Sequence, residues 1–119
     1  MAKDFKRLAT EVSESSEMFS LGMNEAMRGF KGLGRAAYAD GVLSRKTKEL
    51  IAFALSVAAR CDGCVAYHAK RVHELGASRD EVLETLGVAL QMGGGLSMIY
   101  GGDALPAFDS FHLHTIPAE

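Results

Sequence analysis

Ser44-Arg45-Lys46-Thr47-Lys48-Glu49-Leu50-Ile51-Ala52-Phe53-Ala54-Leu55-Ser56-Val57-Ala58-Ala59 is the stretch whose reading decides the fold. Ser44 is a good N-cap, because a serine hydroxyl can accept a backbone N–H of the first helical turn. The run Leu50 to Leu55 leaves the middle of this helix apolar nearly all round, which places it at the centre of a fold. Working outward, a second helix is predicted from near Cys61 to Gly76, the residue type that most readily follows a helix end. Ser78-Arg79-Asp80-Glu81 then reads as a capping box, opening a third helix with Val82, Leu86 and Ala89 as its buried stripe.

The flanks follow the same period. Phe5, Leu8 and Val12 fit a short first helix that the Ser13–Ser16 stretch is expected to end, and Met23, Met27 and Phe30 fit another. A short segment around Gly32 to Asp40 is read as helical, with Asp40-Gly41 as a turn. Gly93-Gly94-Gly95 is compatible with a break or with a tight helix crossing. Leu96 to Phe111 reads as a last helix interrupted near Gly101-Gly102 and Pro106, followed by a loose tail around Pro117. Nothing alternates at the strand period for long, so the expected class is all-α, in one domain spanning residues 1–119.

Composition narrows the possible functions. Apolar residues make up 48% of 119 positions, a surplus for a short chain whose high surface-to-volume ratio demands polar cover, and the excess is expected at subunit contacts. With 13 basic and 15 acidic residues and no run of one sign, a nucleic-acid-binding face is not expected. The charged start, Met1-Ala2-Lys3-Asp4-Phe5-Lys6-Arg7, leads into no signal-like apolar core. No apolar run nears the ~20 residues of a membrane span. A cytoplasmic location is expected, and in a reducing compartment a lone cysteine pair points to redox or metal chemistry.

Chemistry concentrates in Cys61-Asp62-Gly63-Cys64-Val65-Ala66-Tyr67-His68. At ~100° per residue, Cys61, Cys64 and His68 share one helix stripe. Cys64 lies three residues after Cys61 and four before His68, the two separations at which helical side chains meet. His68 is therefore placed as a base for Cys64, whose thiolate can attack a peroxide or disulfide. Cys61 is then the resolving thiol and the one more open to an external reductant. A helix N-terminus, by contrast, favours the first cysteine of such a pair as the thiolate, and the two arguments name different nucleophiles. In an antiparallel hairpin turning near Arg60, Glu49 lies ~15 Å back, level with His68. It is either an orienting carboxylate for that ring or a member of a solvated face with Lys46 and Lys48.

Taken together, Glu49, Cys61, Cys64 and His68 in the spacing E-x11-C-x2-C-x3-H resemble the signature of the AhpD-like (alkylhydroperoxidase) branch of the carboxymuconolactone decarboxylase family. Asp40-Gly41-Val42-Leu43-Ser44, Glu74-Leu75-Gly76-Ala77-Ser78 with Glu81, and Met92-Gly93-Gly94-Gly95 extend the likeness over roughly Ala36 to Ala107. The resemblance implies a bundle of about six helices, a homotrimer or homohexamer, and a peroxidase. A hydroperoxide would be its substrate, and a thiol or dihydrolipoyl-type protein its reductant. By position it implies that Cys64 becomes the sulfenic acid, Cys61 is proton donor and disulfide partner, and Glu49 and His68 form the proton relay, with no cofactor and no metal. The best-known members carry a histidine immediately before the second cysteine; this chain has Gly63, so a relay leaning on that histidine is weakened.

Other readings stand beside this one. A zinc site from Cys61, Cys64, His68 and Glu49 has suitable ligand types, but three ligands on two turns of one helix converge poorly on a tetrahedral ion. A lactone decarboxylase needs acid–base groups rather than a dithiol, and a non-catalytic redox sensor would oxidise without turning over. Two buried small hydrophobes would be the bland account of the cysteines. His73 is expected to favour the helix C-terminus as a cation, His112 and His114 to be surface residues, and Tyr67 and Tyr100 to be packing groups.

Overall fold

The computed structural model describes residues 3–112; His114 and Pro117 lie outside them. Six helices follow one another: α1 (Phe5–Gly22), α2 (Asn24–Tyr38), α3 (Arg45–Ala58), α4 (Asp62–Glu74), α5 (Arg79–Gly93) and α6 (Gly95–His112). The described residues contain no strand, and the expected all-α class is the one observed.

The central three helices form where their caps place them. Ser44 accepts from Thr47 N–H at the start of α3, and the Ser78–Glu81 box closes in both directions at the start of α5. At the end of α4, Ala77 N–H bonds Val72 O and Gly76 N–H bonds His73 O, with Gly76 at φ +83°. That pair of bonds is a Schellman motif, which needs a residue in the left-handed region and favours glycine there. The turn between α3 and α4 uses the same bonds, Cys61 N–H to Ser56 O and Arg60 N–H to Val57 O, but its left-handed residue is Arg60, at φ 54°. Cys61 thus closes one helix and caps the next.

Phe53 and Val57 of α3 meet Val65, Ala66, Ala69 and Val72 of α4, Val82 of α5, and Ala107 and Phe108 of α6 in one core, which Phe5 and Ala9 of α1 extend. Small alanines on α4 and α6 let the helices approach closely and leave room for the two phenylalanines.

Several expectations are corrected. α1 does not stop at Ser13–Ser16; Ser13 and Ser20 return their hydroxyls to the carbonyls of Ala9 and Ser16, so the serines satisfy themselves within the helix. The two short segments from Met23 to Tyr38 are one helix, α2. The glycine triplet marks a helix break: Gly94, at φ +66°, ends α5. The packing there is also close, since a Cβ at Gly93 would lie 2.7 Å from Ser97 Cβ. α6 runs unbroken through Gly101, Gly102 and Pro106. Pro106 and Gly102 are both exposed, so water can serve the Gly102 carbonyl that lacks a proline N–H partner, while buried Ala104, Ala107 and Phe108 hold the other face.

The central helix is not enclosed on all sides. Ile51 and Leu55 of α3 are 46% and 62% exposed, and α2 has no buried residue, with Phe30 and Leu33 open to solvent. Among the described residues the backbone of α2 comes close only to α1 and α3. No described helix is long and apolar enough to cross a membrane.

Candidate active site

Cys61 stands at the N-cap of α4 in extended conformation, and its Sγ accepts the N–H of Cys64 at 3.2 Å. The pair forms a disulfide with a Cα–Cα separation of 5.2 Å. Cys61 is therefore just outside the helix rather than on its stripe, and its sulfur points to the positive end of α4. The exposures are the reverse of those expected: Cys64 is exposed and Cys61 half-buried. Cys64 is the more accessible residue of the pair.

Gly63 explains itself by contact. A Cβ there would sit 3.0 Å from Val12 Cγ2, so α1 occupies the space that a side chain between the cysteines would need. An open groove of about 460 Å³ between α1 and α2 is lined by Leu8, Glu11, Val12, Ser15, Ser16, Phe19 and Met27, and Val12 is also the residue that faces Gly63. Lys3 ties this end together, bridging Asp62 of α4 at 3.1 Å and Asp103 of α6 at 2.9 Å. The two carboxylates push the lysine ammonium above its ordinary range.

Glu49 is 2% exposed, which removes it from any solvated face. Lys46 pairs instead with Glu81 at 2.9 Å and Lys48 donates to Ala39 O. The Glu49 Oε2 lies 2.7 Å from His68 Nδ1, while its Oε1 is 3.9 Å from Arg71 Nε. With Nδ1 engaged by the carboxylate, Nε2 is the ring nitrogen left for proton transfer. The geometry that an antiparallel α3–α4 hairpin requires is the geometry found.

Tyr67 presents its ring edge-on to His68 at 5.0 Å, and Tyr38 of α2 approaches from the other helix at 6.2 Å. Burial, and next the charge of Glu49, push the Tyr38 phenol above its usual range. Neither Tyr38 nor Arg71 emerged from the sequence as a site residue. Arg71 had a signal, being three residues after His68 and so on its face. Tyr38 had none, because only the tertiary packing of α2 brings it near.

The other described histidines, His73 and His112, are placed elsewhere. His73 does not serve as a helix-end cation: burial first, then His112, lower its proton affinity, and it packs edge-on against Phe108. His112 stacks on Phe108 with ring centroids 5.0 Å apart, so it is a packing residue rather than a free surface group. Tyr100 packs against the core with Lys3 over its ring. Among the described residues no three of His, Cys, Asp and Glu are grouped as metal ligands.

Comparison with known proteins gives the same frame. A carboxymuconolactone decarboxylase family protein of Legionella pneumophila, in its apo crystal structure, superposes with a TM-score of 0.88 at 45% identity, over 91% of this chain and 96% of that one. A family member from Thermotoga maritima, described as a candidate participant in an antioxidative response, matches with a TM-score of 0.69 at 34% identity, over 75% of this chain and 92% of that one. An uncharacterized protein of Cupriavidus necator is 36% identical over 112 residues, 94% of this chain and 99% of its own length. Residues 24–105 match the family itself, taking in α2 as well as the expected region. With fold, spacing and relatives in agreement, this chain belongs to the carboxymuconolactone decarboxylase family.

Proposed function

We propose that this protein is a thiol-dependent peroxidase of the alkylhydroperoxidase-like kind, reducing hydroperoxides through a Cys61/Cys64 dithiol–disulfide cycle. The observation that carries the reading is a disulfide whose exposed residue, Cys64, lies one helical turn before an imidazole held by a buried carboxylate. In the reduced protein, His68 takes the Cys64 proton and the thiolate attacks the terminal peroxide oxygen. The O–O bond breaks, the alcohol leaves with a proton, and Cys64 becomes a sulfenic acid. Cys61 then attacks that sulfur, forming the disulfide and releasing water. A thiol or dihydrolipoyl-type protein restores the dithiol by attacking Cys64; the departing Cys61 thiolate is stabilised by the helix N-terminus and the Cys64 N–H.

The apolar groove beside Gly63 offers space for an organic substituent on the peroxide. A homotrimer or homohexamer, acting in the cytoplasm, is part of the same proposal, and the unburied apolar face of α2 with Ile51 and Leu55 of α3 is its contact surface. Light scattering is expected to give a mass of three or six chains at micromolar concentration; a monomeric mass refutes that assembly.

The cycle itself is tested by mass spectrometry. One equivalent of hydroperoxide added to reduced protein is expected to remove about two mass units, mapped to a Cys61–Cys64 bond that a dithiol reverses. An unchanged mass counts decisively against it. Oxidation without repeated turnover would mark a redox sensor instead.

A further inference from the structure

A buried carboxylate beside a histidine poses a problem for a histidine that must begin as a base. Glu49 is 2% exposed and 2.7 Å from the ring. Left alone in that setting, an anion would hold the ring as an imidazolium, because the ion pair is the cheapest way to keep the carboxylate charged out of water. An imidazolium cannot take a proton from a thiol.

The structure supplies a second cation on the other side of the same carboxylate. Arg71 follows His68 by three residues on α4, and its Nε faces Glu49 Oε1 at 3.9 Å. That Nε is buried and has no hydrogen-bond partner. The outer end of the guanidinium reaches Glu74, with Nη1 3.6 Å from Oε1, so the side chain spans from the buried carboxylate to the surface. The other charged or titratable groups facing the pair are the Tyr38 phenol from α2 and the Tyr67 phenol from α4. Lys46 and Lys48, the cations nearest Glu49 in sequence, are committed to Glu81 and to Ala39 O.

We infer that Arg71 is a positioning residue of the candidate site, balancing the charge of Glu49 so that His68 starts the cycle neutral, with Nδ1–H donated to Glu49 and Nε2 open to a proton. The inference deepens the peroxidase reading and rests on it for the role of His68. Arg71 offsets the charge of buried Glu49 at its Nε, while the second carboxylate on the guanidinium, Glu74, stands at the solvated tip where water screens it, so the ring is oriented without being charged in advance. When the Cys64 proton moves from Sγ to Nε2, the resulting imidazolium gains the near oxygen of Glu49 as its partner. Arginine suits this place because its charge is permanent and its Nε can sit buried while its tip stays hydrated.

The test follows the His68 ring by NMR in the oxidised protein, assigned by comparison with His68→Ala, so that no peroxide turnover is needed. In Arg71→Met the pH at which the ring releases its proton is expected to rise by roughly one pH unit relative to the parent, since a nearby cation no longer opposes the imidazolium. Arg71→Lys, which keeps a charge, is expected to stay within a fraction of a unit of the parent. Glu49→Gln is expected to move the midpoint the opposite way. Circular dichroism establishes that each variant is folded. Coincident curves for Arg71→Met and the parent overturn the inference, as does a lysine variant displaced as far as the methionine one, or a glutamine variant that does not move. A displaced midpoint in a protein that consumes no peroxide would leave the inference standing and remove the peroxidase reading.

Discussion

With Cys64 replaced by serine, peroxide consumption is expected to fall to the uncatalysed rate while the fold is retained. Cys64 is exposed and lies outside the hydrophobic core, so the sulfur-to-oxygen exchange removes a nucleophile and little packing. A serine hydroxyl one turn from His68 is too weakly acidic to replace a thiolate. The companion variant, Cys61→Ser, is expected to react once and stop, because the sulfenic acid at Cys64 finds no second thiol. Dimedone then labels Cys64. Cys61 has its own claim as the attacking group, since its sulfur caps the positive end of α4. Were the Cys64→Ser protein to continue consuming peroxide and to take up dimedone at Cys61, the two roles would have to be exchanged.

Phe53→Ala is the substitution expected to damage the fold most, lowering the unfolding free energy by about 3–5 kcal/mol. Phe53 has no exposed surface and lies among residues of α4, α5 and α6 in the core. Truncation to a methyl group opens a cavity that alanines such as Ala66, Ala69 and Ala107 are too small to fill. For a domain whose total stability is of the order of 5–15 kcal/mol, that is a large fraction. The damage reaches the site as well, because Phe53 is one turn after Glu49 on the same helix and anchors the stretch that aims the carboxylate at His68. Urea denaturation measures the change, with Phe53→Leu as the milder comparison. A loss below about 1 kcal/mol for the alanine variant would contradict the packing described here.

The elements that were legible before any coordinates were those with a chemical mark at each end. α3, α4 and α5 are capped at their starts by Ser44, Cys61 and Ser78, and Gly76 lies just past the end of the middle one. α1 and α6 were misread for a common reason. Serines, glycines and a proline penalise an isolated helix, but a helix held by Phe5 and Ala9, or by Ala104, Ala107 and Phe108, is stabilised by burial that outweighs those local preferences. The placing of Cys64 one turn before His68 on the same helix came directly from the 3.6-residue period. Glu49 was placed near His68 by counting back from the turn, yet its burial was not readable beside two lysines; only the packing of α4 across α3 withdraws it from water while those lysines turn to Glu81 and Ala39.

The sequence by itself determined the helical class, the central hairpin and the one-turn spacing of Cys64 and His68 along α4, because these depend on contacts within a few residues and on a fixed helical period. Tertiary structure alone decided which cysteine is exposed, which space α1 takes beside Gly63, and which groups surround the carboxylate. Those outcomes are set by how separate helices pack and exclude water, and no local pattern carries that information.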